Sequence, residues 1–136
     1  MRIMACLLLL VLTGSLVAQE KRKWRRVYTY EDAVIEMEEI KLSFGNFGRV
    51  RFRTVFDKPE DLRGRPGVKY KSILEDMEFK CAEGEYRVTE TIYLDKKGKV
   101  IQSYKADEAE GWKRVKSDMM ARLFTPACRM IAEKKM

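Results

Sequence analysis

A chain of 136 residues, 46% of them hydrophobic and 36% charged, is long enough for one compact core and too short for two ordinary domains. Histidine is absent, which removes the usual general base, the usual metal ligand and the ordinary physiological-pH switch together. The formal charge of +7 favours acidic partners such as an anionic glycan, nucleic acid, phospholipid headgroups or an acidic protein patch.

The N-terminus has the layout of a secretory signal. Arg2 is the charged n-region, Cys6 to Leu12 the apolar h-region, and Thr13 to Ala18 a run ending in small residues before polar Gln19 and Glu20. Cleavage is expected after Ala18, so residues 1–18 form a signal peptide and residues 19–136 a single domain. The apolar run is well short of the ~20 residues a spanning helix needs, so the mature chain is expected to carry no transmembrane anchor. Cys6 precedes the apolar stretch instead of following it, the wrong order for a lipoprotein signal. Loss of Arg2 lowers the net charge to +6. Export, to the periplasm or beyond to the cell surface or medium, places the chain in an oxidising compartment. There Cys81 and Cys128 read as a disulfide, since their spacing lacks the Cys-x-x-Cys form of a redox or zinc site.

Trp24 to Tyr30 has the aromatic and β-branched content of a first strand, with Trp24 expected in the core. Residues 33–42 fit a helical face through Ala33, Val34, Met37 and Ile40, and fit strand alternation equally well. Phe44 to Gly48 reads as a turn. In Arg49 to Asp57 the apolar Val50, Phe52 and Phe56 share one face with Thr54, while Arg49, Arg51 and Arg53 share the other. That basic stripe, extended by Arg25 and Arg26, is the candidate surface for an anionic partner. Lys58 to Gly67, rich in proline and glycine, reads as a loop.

Downstream, Met77, Phe79 and Cys81 alternate inward with Asp76, Glu78 and Lys80 outward. Simple alternation also groups Tyr86, Val88, Ile92 and Leu94 on one face. Asp95 to Gly98 then reverses the chain into Val100 to Tyr104, and Trp112 to Val115 looks like a short return to the sheet. Ser117 is a good N-cap for a helix whose apolar face carries Met120, Leu123, Phe124, Ala127, Cys128 and Ile131. Pro126 interrupts it, so a kink or two short helices are expected, with Thr125 capping the second.

No catalytic constellation emerges. A Ser/His/Asp arrangement is impossible without histidine, and Gly45 to Gly48 lacks the lysine and helix of a phosphate loop. Glu36, Glu38, Glu39, Glu108 and Glu110 lie in polar stretches and are expected to be solvated. Aromatic residues interleaved with arginines suit single-stranded nucleic acid, yet an exported disulfide protein seldom binds it. No cofactor and no metal site is expected, and the protein is read as no enzyme.

Trp24, Tyr70-Lys71-Ser72, Glu78-Phe79-Lys80-Cys81, Tyr86-Arg87, Gly98-Lys99-Val100, Trp112, Ser117 and Cys128 form a pattern of spacings from Trp24 to Ile131. It resembles the surface-adhesin protein E family. The resemblance implies an α+β fold: an antiparallel sheet of about six strands with a C-terminal helix packed on it and clasped by one disulfide. It also favours strand for residues 33–42. The founding member is a bacterial surface adhesin that binds host matrix and plasma proteins, and many relatives are exported domains of unknown role. The expected function is therefore an exported, non-enzymatic module binding a protein or anionic glycan surface. The alternative is a periplasmic, envelope-associated module with a bacterial partner. Homodimerisation is left open, and no adhesin contact residue carries over to Lys58 to Gly67.

Overall fold

The computed structural model of the chain describes residues 24–38 and 42–134. The signal peptide expected at residues 1–18 lies outside them, as do residues 39–41 of the ambiguous segment. The elements run β1 (Trp24–Thr29), β2 (Ala33–Glu38), β3 (Leu42–Phe44), β4 (Phe47–Asp61), β5 (Lys69–Lys80), β6 (Glu85–Leu94), β7 (Val100–Lys105), a 3₁₀ turn at Glu108–Glu110, β8 (Lys113–Arg114) and the helix α1 (Asp118–Glu133). All pairings are antiparallel. The strand order is β1-β2-β4-β5-β6-β7, with β3 also paired to β4 and β8 to β6. An up-and-down meander of this kind needs only short connections, and sequence neighbours become sheet neighbours.

Period-two alternation builds the core. Ile35 and Met37 of β2, Val50 and Phe52 of β4, and Met77 and Phe79 of β5 project from one sheet face onto Ala127, Met130 and Ile131 of α1. Phe79 is fully buried, and complete burial of such a side chain contributes about 1.5–3 kcal/mol. Ala33–Glu38 is therefore strand and not helix, because only alternation delivers Ala33, Ile35 and Met37 to the same buried face. Cys81 follows Phe79 on that face, and its disulfide to Cys128 joins the end of β5 to α1 with the Cα atoms 5.7 Å apart.

The helix begins where expected: the Ser117 hydroxyl accepts from the Met120 N–H at 3.1 Å, with Asp118 in the first turn. It does not split at Pro126. One helix of 16 residues runs through it, because Ala127, Met130 and Ile131 are buried beyond the proline and the disulfide tethers the same turn. The carbonyl deprived of a partner belongs to Arg122, which is exposed, so water can satisfy it.

Three further expectations are corrected. Trp24 is no core anchor: it pairs in register with Glu38 on the side away from α1, and the Arg53 guanidinium lies 4.1 Å over its ring. Residues 58–61 are not loop but the end of a 15-residue strand, whose bulge between Val55 and Glu60 contains Pro59, where no ladder donor is required. The connection is a compact turn closed by Leu62 N–H to Val68 O at 2.8 Å, with Leu62 buried. Finally, β6 does not keep one alternation. A bulge opposite Asp76 and Met77 inserts Thr89, so Tyr86 and Val88 pair with Phe79 and Met77, whereas Ile92 and Leu94 pair with Leu74 and Ser72 on the opposite face.

Candidate binding surfaces

The face away from the helix carries the predicted arginine stripe. Arg49, Arg51 and Arg53 are indeed side by side, but each meets a carboxylate from a neighbouring strand. Arg51 makes a two-pronged contact with Asp76 at 2.6 and 2.9 Å, and Arg53 reaches both Glu36 oxygens at 3.1 Å. Glu78, itself buried, accepts from Arg87 at 2.9 Å and from Arg49 at 3.4 Å. The Asp76 hydrogen bond, opposed by burial, holds the Arg51 guanidinium charged and pushes its pKa up.

The stripe is thus a cross-strand ladder of matched charge. Glu36 and Glu38 are not the solvated carboxylates that polar context implied: the first is the partner of Arg53 and the second is buried. Tryptophans flank the ladder, Trp24 under Arg53 and Trp112 under both Lys80 at 4.3 Å and Arg87 at 4.4 Å. Arg26 stands opposite Glu36 at the ladder's edge, whereas Arg25 stands opposite inward-facing Met37 and so belongs to the other face; both are exposed on edge strand β1 and ion-paired to no described residue. Arg49, with its side chain 52% exposed, is the member of the stripe most open to solvent.

The opposite face is only partly covered. The helix packs over β1, β4 and β5, with Ile131 against Gly48 near the β3–β4 hairpin. Beyond its N-terminal turn the sheet is bare, and four aromatic rings cross it edge to face. Phe56 meets Tyr70 at 5.6 Å, Tyr70 meets Tyr93 at 5.0 Å, and Tyr93 meets Tyr104 at 6.0 Å. The outermost, Tyr104, is 49% exposed and is hydrogen-bonded to Gln102. Burial pushes the Tyr70 and Tyr93 phenols up, helped at Tyr93 by neighbouring Tyr70, Tyr104 and Glu75. The β6 bulge creates this row, because without it Tyr93 would face the arginine ladder.

Between the row and the helix N-terminus lies a groove of about 450 Å³. Phe52, Glu75 and Met77 form its floor, and Met119, Met120 and Leu123 form the helical wall. Glu75 was not singled out from the sequence. It accepts no hydrogen bond and joins no ion pair among the described residues, and burial pushes its carboxyl above the usual range. A signal was present: Glu75 continues the inward alternation of Phe79 and Met77, and a carboxylate at an inward strand position is an anomaly.

These features define a disulfide-clasped α+β domain in which the one helix among the described residues leaves part of one sheet face open. The chain belongs to the surface-adhesin protein E family, whose family model matches residues 24–129. No curated protein and no solved structure matched the chain. Membership makes it a surface-adhesin-like protein, of a kind that is exported or surface-borne, and no helix among the described residues is long and apolar enough to cross a membrane.

Proposed function

We propose that this protein is an exported, non-enzymatic binding module that attaches to a host matrix or plasma protein. The observation that carries the reading is the part of the sheet beyond the helix, which bears Phe56, Tyr70, Tyr93 and Tyr104. Aromatic rings of this kind supply large contact area at low entropic cost and are enriched at the centres of protein interfaces. Family membership supports the adhesin class. The arginine face contributes less than its composition implies, because Arg49, Arg51 and Arg53 are matched internally; Arg26 and the exposed part of Arg49 are what these arginines offer to an anionic surface. Export requires removal of residues 1–18, and mass spectrometry of secreted material should find an N-terminus at Gln19; retention of Met1 would contradict it.

The binding test presents oxidised protein to immobilised matrix and plasma proteins, comparing wild type with a Tyr93→Ala/Tyr104→Ala variant. Binding that falls tenfold or more in the variant, with the backbone (far-UV) dichroism and the Cys81–Cys128 disulfide retained, is the expected result. No binding to any of them, or equal binding by both proteins, would refute the reading.

A further inference from the structure

We infer that the groove beside the helix N-terminus is a receptor for a lysine side chain of a partner protein, with Glu75 as its counter-ion. The inference rests on the protein-binding reading above and names the chemistry one part of that surface selects. Glu75 projects from β5 among Phe52, Met77 and Leu123, where an ionised carboxylate without a partner is unfavourable. No described cation compensates it, in a protein that pairs Glu36, Asp76 and Glu78 with arginines on the other face. The missing positive charge is thus what a ligand can supply.

Shape narrows the choice. The approach to Glu75 is apolar, walled by Met120 and Leu123, and rimmed by Tyr30 and Tyr86. A lysine suits this: its methylene stem lies along apolar surface while its compact ammonium reaches a single carboxylate. About 450 Å³ exceeds one such stem, so apolar neighbours in the partner's sequence can enter beside it. Met77, Met119 and Met120 line the space with flexible thioethers that adapt to those neighbours.

The other polar groups facing Glu75 do not offset it. Thr91 is opposite in register on β6, and Tyr93 lies next along that strand. Asp32, from the β1–β2 turn, adds negative charge to the groove, while Lys113 of β8 lines it without an ion pair to Glu75. Lysine stays protonated over the range in which a carboxyl titrates, so binding should tighten as pH rises through the Glu75 transition and draw a proton off Glu75.

The probes are two peptides, acetyl-Leu-Lys-Leu-amide and the same peptide with norleucine for lysine, titrated into the oxidised protein by amide NMR. At pH 7.5 the lysine peptide is expected to bind about tenfold more tightly than its neutral counterpart, with shifts centred on Glu75 and Leu123. That preference should vanish at pH 4 and in Glu75→Gln. Equal binding of the two peptides at pH 7.5, a preference that survives Glu75→Gln or pH 4, or no perturbation by either peptide would overturn the inference. The two readings fail separately: a lysine preference without attachment to any matrix protein refutes the adhesin reading and leaves the lysine site standing, and the reverse result refutes only the site.

Discussion

Gly48→Ala tests how tightly the helix is seated on the sheet. Gly48 is buried, pairs with Phe79, and lies beneath Ile131 of α1. A methyl group built there falls inside the van der Waals envelope of the Ile131 Cγ1 and Cδ1 atoms. Ile131 is 1% exposed and sits three residues past the tethered Cys128, so it has little room to yield. Over-packing of this type costs about 1–3 kcal/mol. The smaller conformational freedom of alanine in the unfolded chain returns about 0.4–1 kcal/mol. Because the methyl meets two Ile131 atoms far inside contact distance, the cost lies at the upper end, about 2–3 kcal/mol. The net destabilisation is then about 1–2.6 kcal/mol, which at roughly 4 °C or more per kcal/mol lowers Tm by at least several degrees. Thermal and urea unfolding of the oxidised protein measure it. Ile131→Ala alone should cost about 2–5 kcal/mol, but in that background Gly48→Ala should cost nothing, giving a coupling of about 1 kcal/mol or more. A Gly48→Ala protein as stable as wild type, or additive losses in the double variant, would refute the close approach.

Cys128→Ser, or reduction, frees a loop whose ends are 47 residues apart and should remove about 4 kcal/mol in the chain-entropy model; hydrogen exchange should rise in residues 118–133 before the sheet, and equal protection in both redox states would contradict the clasp. Glu75 has a folded pKa raised by burial, so the stability it contributes is complete below the unfolded carboxyl pKa of ~4.3 and is lost as pH rises through the folded value. Glu75→Gln should accordingly raise Tm at pH 7.5 and leave it unchanged at pH 3.5, and a pH-independent difference would show that ionisation is not the cause. Reversal of Arg25 and Arg26 to glutamate should lower the salt concentration at which the protein elutes from heparin, since exposed charges are screened over ~8 Å at physiological ionic strength; unchanged elution would remove these arginines from any anionic contact.

Much of the architecture was legible because it depends on local chemistry. Two-residue alternation in Met77, Phe79 and Cys81, the Asp95 to Gly98 reversal and the Ser117 cap each act within a few residues. At the reversal, Asp95 Oδ1 accepts from Lys97 and Lys99 N–H at 2.9 Å, and Gly98 takes a positive φ of 80°. The disulfide was legible for a different reason, since an inward strand cysteine and an apolar-face helical cysteine are brought together by burying both faces. The matched charge of the arginine ladder was not. Arg49, Arg51 and Arg53 announce their shared face in sequence, but their partners come from other strands, and register decides which residues meet.

What the chain alone determined was therefore the inward faces of β4 up to Phe56 and of β5, the β6–β7 reversal, the start and apolar face of α1, and the clasp between β5 and α1. Tertiary structure decided the rest through two non-local events. The bulge at Thr89 shifts the phase of β6, and only pairing with β5 reveals it, because an extra residue leaves no mark on composition or on local periodicity. That shift turns Thr91 and Tyr93 to the helix side and assembles the aromatic row. The second event is the extent of helix cover: α1 continues through Pro126 and is anchored at Ile131 and Cys128, so its first turn stops short of Phe56, Ile73 and Tyr93. Where a helix ends over a sheet depends on how the two surfaces pack. Alternation turns Glu75 inward, and it is this packing that leaves it half-buried in an open groove, with no counter-ion among the described residues.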